Sequence, residues 1–514
     1  MGLVLKYKKE ILAGIGLIAL FFATRLLFLS DFPIFTDEAI YVRWAQIASN
    51  DAAWRFISLT DGKQPMLIWA GMILIKYFSD PLVAVRLVSV ICGFITMIGL
   101  FALTYELFKN KFASFLSPLL YIFYPFAVVY DRLALYDSMV SMFAVWAIYF
   151  SVLLARKIRL DVALILGFIL GGGLLTKSSA IFSIYLLPFA LILFDFKNKH
   201  WRNNLLKWIA LALIAVILSQ IFYNALRLSP FFHIIAEKNT IFVYPFGEWI
   251  NHPFNFLIGN LKGLSGWLFT YLTPSYMLLI AVSLIAYKKF PKEKILMILY
   301  FILPFLALAL FGKVIFPRFI YFMSISLIPL ASVGLIEVID FVSNFFKKRK
   351  INSFIAFSSL VIVFFLLYPA KVTLDFIFNP ALANIADADK RQYISEWPAG
   401  GGVRESIEFF KEEAANQRIF IGTEGTFGLM PAGLDIYLGK NPNITTRGYW
   451  PINDEIPEEV LTFAKEIPTY FIFYQPCPSC EFSGDAPDNW PLRLVMQTEK
   501  SDGVFYSVYK VEQK

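Results

Sequence analysis

The chain has 514 residues, of which 58% are hydrophobic, 18% are aromatic and only 16% are charged. Soluble domains carry roughly 45–50% apolar and roughly 25% charged residues, so this composition excludes a soluble globular protein, a disordered chain and a disulfide scaffold. The formal net charge of +8 would suit nucleic acid in a soluble protein, but in an apolar chain the question is which side of a bilayer the cations occupy. The composition predicts a polytopic membrane protein.

Apolar runs long enough to cross a membrane recur along the first 370 residues. A spanning helix needs about 20 mostly apolar residues, and by that measure the sequence predicts about eleven spans. They are 11–29, 83–107, 113–130, 138–154, 160–175, 179–194, 208–223, 267–286, 295–311, 319–340 and 352–369. The segment 65–78 is too short to span and is expected to form an interfacial or re-entrant helix.

Basic residues predict the orientation of these spans. Clusters of Lys and Arg occupy every second loop: Lys6, Lys8 and Lys9, then residues 109–111, 156–159, 197–207, 288–294 and 347–350. The positive-inside rule places these clusters in the cytoplasm, so the N-terminus is expected inside and the alternate loops, including 31–64 and 224–265, outside. The first apolar run lacks a small-residue cleavage site, which favours a retained helix over a signal peptide. An odd number of spans then puts the C-terminal region outside.

The composition changes after residue 370. Turn-forming stretches alternate with the amphipathic RESIEFFKEEAANQ and with four strand-like runs, RIFIGT, TYFIFYQ, LRLVMQT and GVFYSVYKV. This pattern predicts a transmembrane domain over 1–370 and a soluble extracytoplasmic α/β domain over 385–514. The latter contains no nucleophile elbow, Walker loop or dinucleotide fingerprint, and GTEGTFG is interpreted as a turn after a strand. We expect this domain to recognise an acceptor or to support the membrane domain.

Charged residues at the predicted outer face are the candidate functional residues, because a charge buried at a membrane without purpose is costly. Asp37 and Glu38 follow the first span. The alternative is that Thr36 or Asp37 caps an interfacial helix. Lys63 lies further along the same loop, in DGKQPMLIW, where snorkelling to the membrane surface is the usual alternative.

A second group lies beyond the third span, in YDRLALYDSMV. Arg132 and Asp137 are five residues apart and do not share a helix face, which favours a turn in which Asp137 opens the fourth span. An ordinary Asp–Arg pair with an N-cap aspartate is the alternative. Further cations at the outer face are Lys177, Lys313 and Arg318. Cations on that face run against the positive-inside trend, which indicates an anionic partner.

Carboxylates and cations gathered on one face fit a single kind of chemistry. The cations would hold a lipid-linked phosphate at the membrane edge, while a carboxylate takes a proton from an incoming hydroxyl. Without a base the hydroxyl is a poor nucleophile, and without charge stabilisation the phosphate is a poor leaving group.

The order of these motifs resembles the C-type (GT-C) membrane glycosyltransferases, specifically the protein O-mannosyltransferase and aminoarabinose lipid A transferase group. The resemblance rests on the acidic dipeptide, a K-P type motif before a Trp, an R-x4-D turn, an L-T-K-S turn and a P-R-F that opens a late span, over roughly residues 1–340. This chain has KQPML and LTKSSA where the family pattern has K-P-P-L and L-x-K-G-P. The resemblance implies a GT-C-like helical bundle in the plasma membrane with a C-terminal extracytoplasmic α/β domain.

The resemblance also implies transfer of one hexose or pentose from a polyprenyl-phosphate donor to a lipid, glycan or protein acceptor at the outer face. Asp37 would be the base or the acceptor-positioning carboxylate, and Glu38 would orient it or a metal. The residues implied at the donor sugar and phosphate are Lys63, Arg132, Asp137, Lys177 and Arg318.

Histidine and cysteine leave alternatives open. Some relatives use a divalent metal ion, and His233 and His252 lie in the outer loop 224–265, although a surface histidine is the commoner case. Cys477 and Cys480 form CPSC in the outer domain, where a local disulfide, two free thiols or a redox pair are the alternatives. Cys92 lies inside a span and is expected to pack as a small apolar residue.

Two other hypotheses compete with the enzyme. A transporter or flippase of a lipid-linked saccharide should show internal repeats and charges near the middle of the bilayer. No repeat is apparent and the candidate charges lie at the outer face, which favours the enzyme. A receptor with an outer sensing domain leaves the carboxylates and cations unexplained.

Overall fold

A computed structural model describes residues 7–286, 288–347 and 354–512. Of the sequence features above, Lys6, the basic residues 348–350 and the first two residues of the predicted span 352–369 lie outside the described residues.

The chain forms two compact units. The first, which we call the bundle unit, contains the described residues up to Leu27, Phe56–Leu67 and Leu87–Ile385. The second, which we call the sheet unit, contains Phe28–Arg55, Ile68–Arg86 and the described residues from Ala386 onward. Most of the predicted first outer loop, together with Ile68–Arg86, therefore belongs with the C-terminal residues.

Helices dominate the chain before residue 386, and each of the predicted spans contains one. The helices are Lys8–Leu26, Thr36–Asn50, Met66–Leu74, Pro81–Phe108, Lys111–Ile122, Pro125–Tyr130, Tyr136–Lys157, Leu160–Leu174, Ile181–Leu186, Trp201–Asn224, Ile234–Phe242, Phe246–Trp249, Leu257–Ile285, Pro291–Phe311, Arg318–Ser324, Ile328–Lys347 and Phe354–Phe378.

Within the described residues, seven helices are long and apolar enough to cross a membrane. They are Pro81–Phe108, Tyr136–Lys157, Trp201–Leu228, Leu257–Ile285, Pro291–Phe311, Arg318–Phe345 and Ala356–Phe378. Three further apolar helices, Lys111–Ile122, Leu160–Leu174 and Ser178–Leu193, are shorter than a spanning helix needs to be. The first helix is apolar in its centre but has charged residues near both ends.

Ion pairs join three of the predicted cytoplasmic loops at one end of the bundle unit. Arg156 Nη1 lies 2.9 Å from Glu106 Oε1, and its Nη2 lies 2.9 Å from Glu293 Oε1. The ends of Pro81–Phe108 and Tyr136–Lys157 and the start of Pro291–Phe311 therefore meet. Their common end agrees with the alternation of basic loops, and the side of the membrane that it faces stays a prediction.

The sheet unit contains a five-stranded mixed sheet. Its strands are β1 (Ile419–Glu424), β2 (Ile444–Tyr449), β3 (Thr469–Phe473), β4 (Leu492–Ser501) and β5 (Val504–Val511), in the order β2-β1-β3-β5-β4. The first three are parallel, and β5 is antiparallel to both β3 and β4. Both β1 and β3 are buried along their whole length, as continuous apolar runs in a parallel sheet should be.

The sequence predicts four of these strands and misses β2. The β2 sequence ITTRGY is half-exposed and lacks a regular apolar alternation, so it carries little strand signal. The predicted amphipathic helix is Val403–Glu413, and the other helices after residue 386 are Asp387–Lys390, Ala432–Leu438 and Glu458–Glu466. In this part of the chain Cys477 and Cys480 form a disulfide, and in the bundle unit Cys92 is buried as expected.

Candidate active site

A fully buried ion pair joins the first helix of the bundle unit to the turn before Tyr136–Lys157. Arg25 Nε lies 3.3 Å from Asp131 Oδ2, and neither side chain is exposed. The hydroxyls of Tyr121, Tyr321 and Ser138 donate to the same carboxylate at 2.7 to 3.2 Å. Because buried charges need a partner and hydrogen bonds to be tolerated, this network fixes the packing of several helices.

Arg132 is 2% exposed and binds the end of the first helix. Its Nη1 donates to the carbonyl oxygens of Thr24 and Arg25 at 3.1 Å each. A cation at the carboxyl end of a helix is stabilised by the partial negative charge of the last carbonyls. This geometry gives Arg132 an anchoring contact, and its implied role at the donor stays a prediction.

Asp137 and Lys177 come together in the bundle unit. Asp137 is the second residue of its helix and is 6% exposed, as the predicted turn before the fourth span requires. Lys177 Nζ lies 2.7 Å from Asp137 Oδ1 and 4.8 Å from the centre of the Phe319 ring. A lysine held by a carboxylate and an aromatic face presents a fixed positive charge.

Lys63 lies on a tight turn that the second outer loop covers. Its Nζ is 3.4 Å from Asp61 Oδ2, while Lys238 from the second loop lies 2.6 Å from Asp61 Oδ1. Gly62 between them has a φ of +66°, and a Cβ there would lie 2.6 Å from the carbonyl oxygen of Ile234. The turn therefore requires glycine both for its conformation and for the close approach of the loop.

The turns that carry Lys63 and Lys177 are hydrogen-bonded to each other. The Gln64 side chain donates from Nε2 to Ser178 Oγ at 2.8 Å, and the Met66 N–H donates to the Leu175 carbonyl at 3.1 Å. The structure thus brings together two lysine-bearing segments that are more than a hundred residues apart in the sequence.

Arg318 opens a helix whose preceding segment pairs with the second outer loop. The Lys313 N–H donates to the Phe242 carbonyl at 2.8 Å, and the Phe242 and Phe319 rings are 5.9 Å apart. The Arg318 guanidinium lies 5.0 Å from the centre of the Phe316 ring. The loop 224–265 therefore contacts the turn that carries Lys63 and the segment that leads into Arg318.

In the sheet unit, Glu38 forms a buried ion pair with Arg86. Arg86 donates from Nε and Nη2 to the two Glu38 carboxylate oxygens at 2.8 and 2.7 Å, and neither side chain is exposed. The remaining donors of Arg86 bind the carbonyls of Leu29, Phe32 and Pro33 at 2.7 to 2.9 Å. The bidentate geometry is the strong form of this interaction.

Asp37 occupies a different position from its neighbour. It is the second residue of Thr36–Asn50 and is only half-buried, whereas Glu38 turns inward and accepts the Phe35 N–H at 3.0 Å. Thr36 is fixed by its hydroxyl, which donates to the Pro398 carbonyl at 2.9 Å. A carboxylate in the first turn of a helix is stabilised by the helix dipole.

A second cluster of ionisable groups lies at the carboxyl ends of β1 and β3. Glu424 is 3% exposed and accepts the Tyr474 and Gln475 N–H groups at 2.9 Å each. Burial raises the pKa of Glu424 in spite of these bonds. Burial also lowers the pKa of Lys500 to about 7, although the charge of Glu424 opposes that shift.

No metal-binding group is present in the part of the chain that the structure describes. There, no three His, Cys, Asp or Glu side chains come close enough together to hold an ion. His233 Nδ1 is 3.0 Å from the Pro230 carbonyl, and the His252 ring packs against Tyr244. The divalent metal ion that the resemblance implies stays a prediction.

Sequence analysis overlooks Arg25 and Arg86. Both lie within predicted spans, where a charged residue is costly and has a functional or structural reason. A charged residue inside a predicted span is therefore a signal that identifies both arginines. It does not identify their partners, which are distant in the sequence. Lys238, Gln64 and Ser178 carried no comparable signal, because polar residues in a predicted outer loop are ordinary.

The chain is similar to known proteins in sequence and in fold. A family model described as dolichyl-phosphate-mannose-protein mannosyltransferase matches residues 62–223. The fold is similar to ArnT from Cupriavidus metallidurans in the apo state (TM-score 0.55) and bound to undecaprenyl phosphate (TM-score 0.54), each at 14% identity over 98% of both chains. It is also similar to the apo oligosaccharyltransferase of Archaeoglobus fulgidus, at 13% identity and TM-score 0.53, over 91% of this chain and 70% of that one.

No curated protein sequence matches the chain. The family match and the structural similarity nevertheless confirm the predicted resemblance to C-type membrane glycosyltransferases. They also confirm the predicted fold class, a helical membrane protein with a C-terminal α/β domain.

Proposed function

We propose that this protein transfers a single sugar from a polyprenyl-phosphate donor to a lipid, glycan or protein acceptor at the extracytoplasmic face of the membrane. The N-terminus would then lie in the cytoplasm and the C-terminal domain outside. The family match, the fold and the similarity to ArnT bound to undecaprenyl phosphate support the donor class.

The observation that carries the proposal is the junction of the Lys63 and Lys177 segments in the bundle unit. Three lysines, Lys63, Lys238 and Lys177, share the two carboxylates of Asp61 and Asp137, so the hydrogen-bonded junction keeps one positive charge in excess of its carboxylates. Such a site suits a phosphate group better than a neutral sugar.

Asp37 acts as the base in this proposal. It removes the proton of the acceptor hydroxyl while the hydroxyl oxygen attacks the anomeric carbon of the donor. The bond between that carbon and the phosphate oxygen breaks, and its electron pair leaves with the polyprenyl phosphate. Glu38 is not the base, because its carboxylate is occupied by Arg86 and by the Phe35 N–H. These bonds fix the first turn of the helix, and in this way Glu38 positions Asp37.

Lys63, Lys177 and Arg318 stabilise the negative charge that develops on the departing phosphate. Asp137 holds Lys177 in place through the contact at 2.7 Å. Arg132 supports the same region indirectly, because it fixes the end of the first helix.

The test is a transfer assay with the purified protein, radiolabelled polyprenyl-phosphate sugars and total membrane acceptors. We expect a labelled acceptor with the native protein and a large loss of transfer with Lys177→Met. Lys371→Met is the matched control, since Lys371 is an exposed lysine beside Asp375, four residues away on the same helix. Movement of intact donor lipid across the bilayer without a labelled acceptor would indicate a flippase and refute the proposal.

A further inference from the structure

Two hydrogen bonds clamp the Lys63 turn to the Lys177 turn. Gln64 Nε2 donates to Ser178 Oγ at 2.8 Å, and the Met66 N–H donates to the Leu175 carbonyl at 3.1 Å. Lys63 directly precedes the first of these residues, and Lys177 lies between Leu175 and Ser178. We call the Gln64–Ser178 bond the clamp.

The clamp joins a buried residue to a half-buried one. Gln64 is 4% exposed and Ser178 is half-buried. If the Gln64 amide lost its partner, a buried donor would be left unsatisfied. This cost favours the arrangement of the two turns in which the bond is made. The clamp therefore determines how the two turns are placed relative to each other.

Each lysine already has a carboxylate partner, Asp61 on the same turn as Lys63 and Asp137 on the helix Tyr136–Lys157 for Lys177. Asp61 lies 3.4 Å from the Lys63 ammonium, and Asp137 lies 2.7 Å from the Lys177 ammonium. What these ion pairs leave undetermined is the distance between the two ammonium groups. That distance depends on the relative position of the turns, which the clamp sets.

We propose that Gln64 and Ser178 are positioning residues that hold the Lys63 and Lys177 ammonium groups at the spacing required to bind one phosphate group. The inference rests on the proposed function, since it takes the phosphate of a polyprenyl phosphate as the ligand. Two long flexible side chains bind an anion better when their separation is set in advance, because less conformational freedom is lost on binding.

The test measures binding of undecaprenyl phosphate and of undecaprenol to the purified full-length protein. The variants are Gln64→Leu, Ser178→Ala and the double substitution. Each single variant should bind undecaprenyl phosphate about threefold to tenfold more weakly, the range that corresponds to loss of one neutral hydrogen bond. Binding of the alcohol should stay at its native value, whereas Ser178→Ala, which leaves the buried Gln64 amide without this partner, should lower the thermal unfolding midpoint by a few degrees.

Non-additivity distinguishes the clamp from two unrelated effects. The double variant should bind undecaprenyl phosphate with about the same affinity as the single variant that binds it less tightly, because both substitutions remove the same bond. Ser178→Thr keeps the hydroxyl and should retain native affinity. In the transfer assay, the donor KM should rise and kcat should fall, because the same two lysines bind the donor phosphate and stabilise the departing one.

Two controls match the chemistry of the substitutions. Ser326→Ala removes a buried hydroxyl that donates to the Met323 carbonyl three residues before it. Gln220→Leu removes an amide from the surface of Trp201–Asn224. Neither should change the affinity for undecaprenyl phosphate.

The outcomes separate this inference from the proposed function. If the native protein binds undecaprenyl phosphate no better than undecaprenol, the phosphate site and the inference both fail. If the native protein prefers the phosphate and the clamp variants retain its affinity, the inference fails while the proposed function stands. Equal loss of both ligands together with a lower melting temperature would show that the clamp only supports the fold, which also refutes the inference.

Discussion

Removing the charge of Asp37 and removing that of Glu38 should have different effects on the stability and the sugar transfer of the protein. Glu38→Gln removes the charged partner of a fully buried arginine, whereas Asp37→Asn alters a half-buried side chain in the first turn of a helix. We expect the first substitution to lower stability strongly and the second to abolish sugar transfer with only a small effect on stability.

The structure gives the magnitude for Glu38. Its carboxylate accepts three hydrogen bonds, two from Arg86 and one from the Phe35 N–H. A glutamine amide nitrogen cannot accept any of them, so at least one bond is lost and the Arg86 charge is left uncompensated. Breaking a buried ion pair in this way costs about 3–5 kcal/mol. In a unit of this size each kcal/mol lowers the unfolding midpoint by about 2–4 °C, so the decrease should be on the order of 10 °C.

The corresponding effect for Asp37→Asn is small. A carboxylate in the first turn contributes about 0.3–1 kcal/mol through the helix dipole, which predicts a decrease of only a few degrees. Both variants are measured in full-length protein by thermal unfolding and by transfer of radiolabelled sugar. Glu408→Gln, which removes an exposed glutamate paired with Lys411, is the control and should leave both measurements at native values.

Two results would refute this reasoning. A Glu38→Gln protein that melts at the native temperature and has lost transfer would mean that Glu38 acts in the chemistry. An Asp37→Asn protein with substantial residual transfer would mean that Asp37 is not the base.

The remaining predictions concern packing and pH. Gly93→Ala should strongly lower stability, because a Cβ there would lie 2.5 Å from the Asp131 carboxylate, whereas Gly14→Ala, with nothing within 4 Å, should leave the unfolding midpoint of the full-length protein unchanged. For Lys500, whose pKa is about 7 in the folded protein and about 10.4 in model peptides, the unfolded chain binds the extra proton between these values. Its contribution to stability should therefore rise as the pH increases from 7 to 10, and Lys500→Met should remove that rise in thermal unfolding measured across this range. A native pH dependence in Lys500→Met would contradict the assignment.

Element positions follow closely from the sequence. The apolar runs locate the helices, because a segment that spans a membrane must satisfy its backbone hydrogen bonds internally. Four of the five strands are also predicted. Of these, β1 and β3 are continuous apolar runs, as expected for buried strands in a parallel sheet. Four predicted spans do not form a long apolar helix: three of their helices are too short to cross a membrane, and the first has charged residues near its ends. Hydropathy locates an apolar segment but does not fix the length of its helix.

The residues that pair with each charged side chain are much harder to predict from the sequence than the positions of the helices and strands. The sequence identifies Asp37, Asp137, Lys63 and Lys177 as unusual, since the cost of burying charge is a local property of each residue. It does not reveal that Glu38 is paired with Arg86, because their contact depends on how a loop folds back onto a helix 48 residues away.

The sequence by itself determined that the protein is a polytopic membrane protein, where its helices lie, and which residue types at the predicted outer face have unusual chemistry. These properties depend on hydropathy and charge, which are fixed residue by residue. The tertiary structure alone decided that Glu38 and Arg132 are held by buried partners and that the turns of Lys63 and Lys177 are joined through Gln64 and Ser178. The physical reason is that a buried polar group must find a partner of matching geometry, and that partner is selected by packing rather than by sequence proximity.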